Sequence, residues 1–241
     1  MATVRATASQ RGRTLPSTAC PWCDSVGLVR EVLPGVFHWP AIHPRIHIEV
    51  SSYWLQDGGI LIDPLVPPDV GLQWFECRAT LPAAILLSNR HHYRDSARFQ
   101  DVFGCPVYCN RAGLGEFIHG ELVTAFDPGN TLPGGIGAYE VGGLCPDETA
   151  LHLPSKRAVV IADGVVRGSP QGQPGPLGFV PDTLMDDPPV TKRHLLDAFD
   201  RLLGELDFEH LLLAHGGPVI GDGRIQLEEL VDCGGRTAFE L

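Results

Sequence analysis

Four short stretches place side chains of metal-ligand and catalytic type directly after apolar runs. They are "LLSNRHHYRD" (86–95), "GGLCPDETALHL" (142–153), "AVVIADG" (158–164) and "LLLAHGGP" (211–218). Imidazole nitrogens and carboxylate oxygens together suit a divalent cation such as zinc, iron or manganese. A cation with an open coordination position lowers the pKa of a bound water toward neutrality and so supplies a nucleophile for hydrolysis. Arg94 brings a different chemistry, because a guanidinium can clamp an anionic group or replace a metal ion by pairing with the carboxylates. Tyr93 beside it is a further polarising group.

Each stretch also admits a plainer role. "ADG" is a turn signal around Asp163, "HHYRD" can be a solvated loop whose Asp95 or Ser96 caps the next helix, and Glu148 can be an exposed acid. His38, His43, His47, His119, His152, His194 and His210 lie outside the four stretches and read as hydrogen-bonded structural residues.

The elements that must position these groups follow from periodicity. "RIHIEVSSYWL" alternates as a half-buried strand does, and "GGILIDPLVPP" is an apolar run closed by proline, so antiparallel strands open the folded part. "AAILLS" and "CPVYC" read as strands on either side of a short helix, "DSARFQDVFG". "AYEV", "ALHL" and "AVVIAD" then read as strands of a second sheet. "VTKRHLLDAFDRLLGEL" carries apolar residues at helical spacing, "FEHLLLAHGGP" is a strand entering a glycine-rich turn, and "GRIQLEELVDC" closes as a helix. Strands followed by alternating strands and helices, twice over, predict an α/β fold: two sheets face to face with helices outside, a four-layer αβ/βα sandwich. Residues 1–30 read as a flexible tail and 31–241 as the folded domain. Arg167 to Pro189, heavy in Gly and Pro, is expected to be a long loop over the site.

The order and spacing of the four stretches resembles the metallo-β-lactamase superfamily, in which the same four loops supply metal ligands. The family's first loop reads Thr/Ser-His-x-His-x-Asp-His, and Ser88 to Arg94 stand at those positions, with His91 the only matching ligand. The resemblance implies Glu148 where the family has the histidine of Pro-Gly-His-Thr, Asp163 as the bridging aspartate, His215 as the last ligand, and Asp63 as a supporting acid. It therefore implies one metal ion held by His91, Glu148, Asp163 and His215, zinc first and iron or manganese next, with His92 and Asp95 in reserve. Asp163, Tyr93 and Arg94 would be the catalytic groups, and the implied substrate is a small molecule with an ester, thioester, amide or phosphodiester bond. Asn89, Tyr93 and Arg94 depart from the family pattern. Arg94 places a fixed cation where a second ion would sit, which opposes a two-metal centre. The alternative is a catalytically inactive, metal-free relative whose cleft is filled by Arg94, paired with Asp163 or Glu148, and which binds a small ligand or partner.

Composition narrows the partners. A formal net charge of −11, from 18 basic and 29 acidic residues, argues against sequence-independent nucleic-acid binding. No apolar run reaches the roughly 20 residues a membrane helix needs, and no signal-type segment opens the chain, so a cytoplasmic protein is expected. Seven cysteines scattered over 241 residues make a poor disulfide framework, and most are expected to be reduced. "CPWC" at Cys20 to Cys23 has the spacing of a redox pair or half a zinc site, but no second such pair completes it. Oligomeric state is open.

Overall fold

The strand expected within "RIHIEVSSYWL" forms from Glu49 to Leu55 and is buried on both faces rather than one. Its polar members explain why alternation misleads there. Ser52 Oγ donates to the Asp63 carbonyl at 2.9 Å and accepts from Leu65 N at 2.9 Å, and Ser51 Oγ lies 2.9 Å from His38 Nε2. Serines that satisfy their neighbours in this way can be buried at little cost.

The computed structural model describes residues 27–169, 173 and 175–234. Its strands are β1 (Arg30–Leu33), β2 (Val36–Ile42), β3 (Glu49–Leu55), β4 (Ile60–Ile62), β5 (Ala84–Leu86), β6 (Val107–Asn110), β7 (Val123–Phe126), β8 (Thr131–Leu132), β9 (Ile136–Glu140), β10 (Thr149–Leu153), β11 (Ala158–Ile161), β12 (Val166–Arg167), β13 (Leu177–Gly178) and β14 (His210–Leu213). The helices are α1 (Gln73–Glu76), α2 (Ser96–Phe103), α3 (Pro188–Glu205) and α4 (Gly223–Asp232).

β1 to β7 form one sheet in chain order, antiparallel through β4 and parallel from β4 to β7. The second sheet runs β14-β11-β10-β9-β8, with β14 and β11 parallel. Three apolar clusters mark the interfaces between four layers. Tyr53, Ile62 and Leu86 of the first sheet meet Leu151, Val160 and Leu212 of the second between the sheets. Trp54, Trp74, Phe75 and Phe99 pack α1 and α2 on the outer face of the first sheet, and Leu195, Phe199 and Leu227 pack α3 and α4 on that of the second. The molecule is the expected αβ/βα sandwich, because each sheet has two apolar faces and each helix one.

Three local expectations change. Arg167 to Pro189 is not a bare loop: β12 and β13 pair within it and a 3₁₀ turn spans Asp182–Leu184. Asp95 stands at the N-cap of α2 without a side-chain cap bond, its Oδ2 accepting instead from Val66 N at 2.8 Å. Cys77 is disulfide-bonded, whereas Cys105, Cys109, Cys145 and Cys233 are free thiols. The "CPWC" stretch and the first 26 residues of the expected tail lie outside the described residues. No described helix is long and apolar enough to cross a membrane.

Candidate metal centre

The two sheets are tied together at the carboxyl ends of their central strands. Ser51 N donates to Ala214 O at 2.8 Å, Tyr53 OH to Leu213 O at 2.7 Å and Thr149 N to Ser88 O at 2.9 Å. The loops leaving β4, β5, β11 and β14 therefore meet in one place, where open sheets place their sites.

Asp63, just past β4, has φ of 48°, a backbone region that non-glycine residues enter at a cost of about 1–3 kcal/mol. The turn aims its carboxylate across to the β5 loop. Oδ1 accepts from Ser88 N at 2.9 Å, and Oδ2 accepts a very short bond from Ser88 Oγ and stands 3.0 Å from His92 Nδ1. Burial alone would raise this carboxyl, yet His92, Arg94 and Ser88 outweigh burial and hold it below its ordinary range. With Nδ1 turned to Asp63, the His92 imidazole presents Nε2 to the opposite side, an orientation that a carboxylate partner gives to a metal-binding histidine.

Three donor atoms converge there. His92 Nε2 and His215 Nε2 stand 3.2 and 3.0 Å from Asp163 Oδ1, and a set of one ligand atom from each residue lies within 4.8 Å of one another. Asn89 Nδ2 fixes the other carboxylate oxygen, donating to Oδ2 at 2.8 Å. Oδ1 is buried and has no hydrogen-bond partner, despite its two close nitrogens. Burial would raise the Asp163 carboxyl, but His92 and His215 drive it well below its ordinary range. The His92 imidazole, which burial would lower, is raised by Asp63 and Asp163 to about 9. His215 is set by its glycine turn: Gly216 has φ of +89°, and a Cβ there would meet Arg167 O at 1.8 Å, so only glycine lets the chain pass.

Asp163 and His215, both expected from the sequence, are thus in the cluster, and His92, held in reserve, completes it. His91 is not brought to it: its side chain is exposed, while its backbone N donates to Asn89 Oδ1 at 2.9 Å. The cause is local. Residues 90–93 form a 3₁₀ turn in which His92, with φ −94° and ψ 19°, is the buried member, so the inward-facing position falls one residue later than the family register implies. Asn89, expected only as a departure from the motif, holds Asp163 instead. Nothing in the residue types alone marks His92 over His91.

Glu148 is fully buried but outside the converging set. Its Oε1 accepts from Gly164 N at 2.6 Å and its Oε2 has no partner. Burial first, and Asp163 second, push this carboxyl well above the usual carboxylate range. A carboxyl so raised binds its proton more tightly in the folded chain than in the unfolded one, so its contribution to stability falls as pH rises above the unfolded value. In chelator-treated protein, Glu148→Gln is expected to melt a few degrees above the parent at pH 8, with the gap closing toward pH 5 in thermal unfolding followed by circular dichroism. A variant less stable than the parent at pH 8 would contradict this.

Tyr93 is part of the wall. Its hydroxyl donates to Gln100 Oε1 at 3.0 Å and its ring packs on Phe117 at 5.6 Å. Arg94 has φ of 45°, and its Nη1 donates to the carbonyls of Ser51 at 2.7 Å and Asp63 at 2.6 Å. It pairs with neither Asp163 nor Glu148 among the described ion pairs, and the partners of Asp163 are the two histidines. The guanidinium pins the loop to β3 and β4 and adds a buried positive charge to the site. A cleft of about 510 Å³ opens over the cluster, lined also by His43, Arg45, Arg90 and Phe117.

No family model and no curated protein matches the chain. Solved structures do. A metallo-β-lactamase family protein, TTHA1429 from Thermus thermophilus, aligns at TM-score 0.61 and 19% identity over 84% of this chain and 80% of that one. DIM-1 metallo-β-lactamase, in a structure exposed to ceftazidime, aligns at 0.63 and 13% over 86% and 97%. This chain has the metallo-β-lactamase fold. At such identities the likeness is one of fold. A further neighbour, TTHA1623 in a di-iron-bound form, aligns at 0.56 and 22% over 76% of this chain and 94% of that one.

Within the metallo-β-lactamase fold, the group of His92, Asp163 and His215 is the described set able to hold an ion. Its donors fit a divalent cation: two imidazoles and one carboxylate, with the carboxylate oxygen buried and unbonded between the imidazoles.

Proposed function

We propose that this protein is a mononuclear metal-dependent hydrolase of metallo-β-lactamase fold whose ion is held by His92, Asp163 and His215. The observation that carries the reading is Asp163 Oδ1, buried without a hydrogen bond between two imidazole nitrogens at 3.0 and 3.2 Å. Two histidines and one carboxylate suit zinc first, with iron or manganese as alternatives. When bound, such an ion supplies Lewis acidity and brings a water toward ionisation at neutral pH.

The chain's own residues do the rest. Asp63 and Ser88 fix the ring of His92, and Asn89 holds Asp163 Oδ2 so that Oδ1 stays turned inward. Arg94 locks the loop between Ser51 and Asp63, and Tyr93 walls the cleft. Glu148 lies behind Gly164, its carboxyl pushed up by burial and by Asp163, and is left out of the ligand set. The substrate is a small molecule with an ester, thioester, amide or phosphodiester bond.

A second reading, a metal-free relative that binds a ligand in the same cleft, is favoured by one observation. Arg94 adds a buried cation beside a carboxylate that two imidazoles already flank. Turnover separates the two. Zinc-loaded protein is expected to hydrolyse at least one of a panel of nitrophenyl ester, thioester, phosphodiester and lactam substrates, and Asp163→Asn to lower that rate by about 100-fold or more. A folded, zinc-loaded parent no faster than buffer on the whole panel would favour the second reading.

A further inference from the structure

One reactive group stands away from the metal cluster. Cys77, the residue after α1, is half-buried and disulfide-bonded, whereas Cys105, Cys109, Cys145 and Cys233 are free thiols. Of the seven cysteines in the sequence, the two left to bond with it are Cys20 and Cys23 of "CPWC". That motif has the spacing of a pair that undergoes thiol–disulfide exchange, a chemistry that depends on accessible sulfur.

The described start of the chain lies where the motif must come from. Leu28 N donates to Asp69 Oδ2 at 3.2 Å, and Val29 packs with Phe37, Val70 and Trp74 on the outer face of the first sheet. The chain therefore enters β1 beside the turn that leads into α1. Cys23 precedes Gly27 by four residues and Cys20 by seven. An extended chain spans about 3.3–3.6 Å per residue, and α1, of four residues, is only about 6 Å long, so both cysteines have the reach to meet Cys77. Cys77 itself stands on a rigid patch. The Trp74 ring meets Phe37, Trp54 and Phe75 at 5.4, 5.4 and 5.0 Å, and the Arg78 guanidinium lies 3.8 Å over it.

We propose that Cys20, Cys23 and Cys77 form a thiol–disulfide exchange centre, in which Cys77 bonded to one cysteine of the motif straps the segment before β1 to α1. A small-molecule disulfide closes the adjacent pair first and is itself reduced to two thiols. The Cys77 thiolate then attacks one sulfur of the Cys20–Cys23 bond. A new S–S bond joins Cys77 to that cysteine, the old one breaks, and the other cysteine leaves as a thiolate that takes up the proton Cys77 gave up. This second step consumes no oxidant. It runs toward the strap because a bond to Cys77 closes a long loop and constrains the unfolded chain, whereas the Cys20–Cys23 bond closes a short ring. Cys77 does not line the cleft over the metal cluster, so this inference and the hydrolase reading can fail separately.

The test follows the disulfides of full-length protein in time. Fully reduced protein is oxidised briefly with glutathione disulfide, desalted, blocked with N-ethylmaleimide at intervals, digested and mapped by mass spectrometry. The Cys20–Cys23 bond is expected first, with Cys77 labelled. After the glutathione is removed, the fragment joining the Cys77 peptide to the "CPWC" peptide is expected to grow by about three-fold or more while the total number of thiols stays constant. Cys77→Ser should keep the Cys20–Cys23 bond and melt about 4–16 °C below the oxidised parent, a gap that closes when both are reduced with dithiothreitol. Cys77 labelled at every time, Cys77 joined to any other cysteine, or a cross-link that grows only while glutathione disulfide is present would each overturn the proposal. So would an oxidised parent that melts with Cys77→Ser.

Discussion

Replacing His92 by alanine is expected to cost the protein its metal, while replacing the adjacent His91 is expected to leave it in place. His92 Nε2 faces Asp163 Oδ1 at 3.2 Å and its ring is held from behind by Asp63, whereas the His91 side chain is exposed. Loss of one of three ligands removes both a bond and the geometry that selects the ion. His92→Ala should therefore weaken zinc binding by about 100-fold or more in a competitive chelator titration, and His91→Ala by no more than about three-fold. The contrast is sharp because the family register implies the opposite. A His91→Ala variant that loses zinc while His92→Ala keeps it would mean that the 90–93 turn rotates when an ion enters.

The second large effect is on stability. Asp63→Ala is expected to destabilise the fold by about 3–5 kcal/mol, the cost of breaking a buried ionic network at one partner. Its carboxylate accepts from Ser88 N and Ser88 Oγ, faces His92 Nδ1 and provides the charge that most supports the buried Arg94 guanidinium. Alanine leaves all of these without compensation, in a region tied to both sheets through Ser51 and Ser88. A fall of roughly 6–20 °C in melting temperature follows for a domain of this size. Asp63→Asn, which keeps the shape and one acceptor, should lose less stability yet bind zinc about 10- to 100-fold more weakly, because the His92 ring loses its orienting carboxylate. An Asp63→Ala protein melting within about 2 °C of the parent would show that the network carries little of the fold's stability.

Much of this architecture is legible in the residues. "AVVIAD" and "LLLAHGGP" are apolar runs ending in a polar residue and a turn, and they fold as β11 and β14, delivering Asp163 and His215 to one point. Helical spacing from Leu195 to Leu203 marks α3 because those residues pack one face on the second sheet. What was not legible depends on single backbone turns. "NRHHYR" reads the same whether His91 or His92 faces inward, and the choice is made by a 3₁₀ turn and a positive φ at Arg94. Glu148 has ligand chemistry, but only the fold reveals that the Gly164 amide claims its Oε1. Arg94 likewise carries no sign in its type of whether it will pair with carboxylates or with the main-chain carbonyls of Ser51 and Asp63.

The most direct measurement is metal content by mass spectrometry on full-length protein purified without chelator or metal-affinity resin, before and after dialysis against zinc. About one equivalent of a divalent metal per chain, lost in an Asp163→Ala, His215→Ala double variant that remains folded, is the expected result. A folded parent that carries no metal and takes up none would contradict a metal centre at His92, Asp163 and His215.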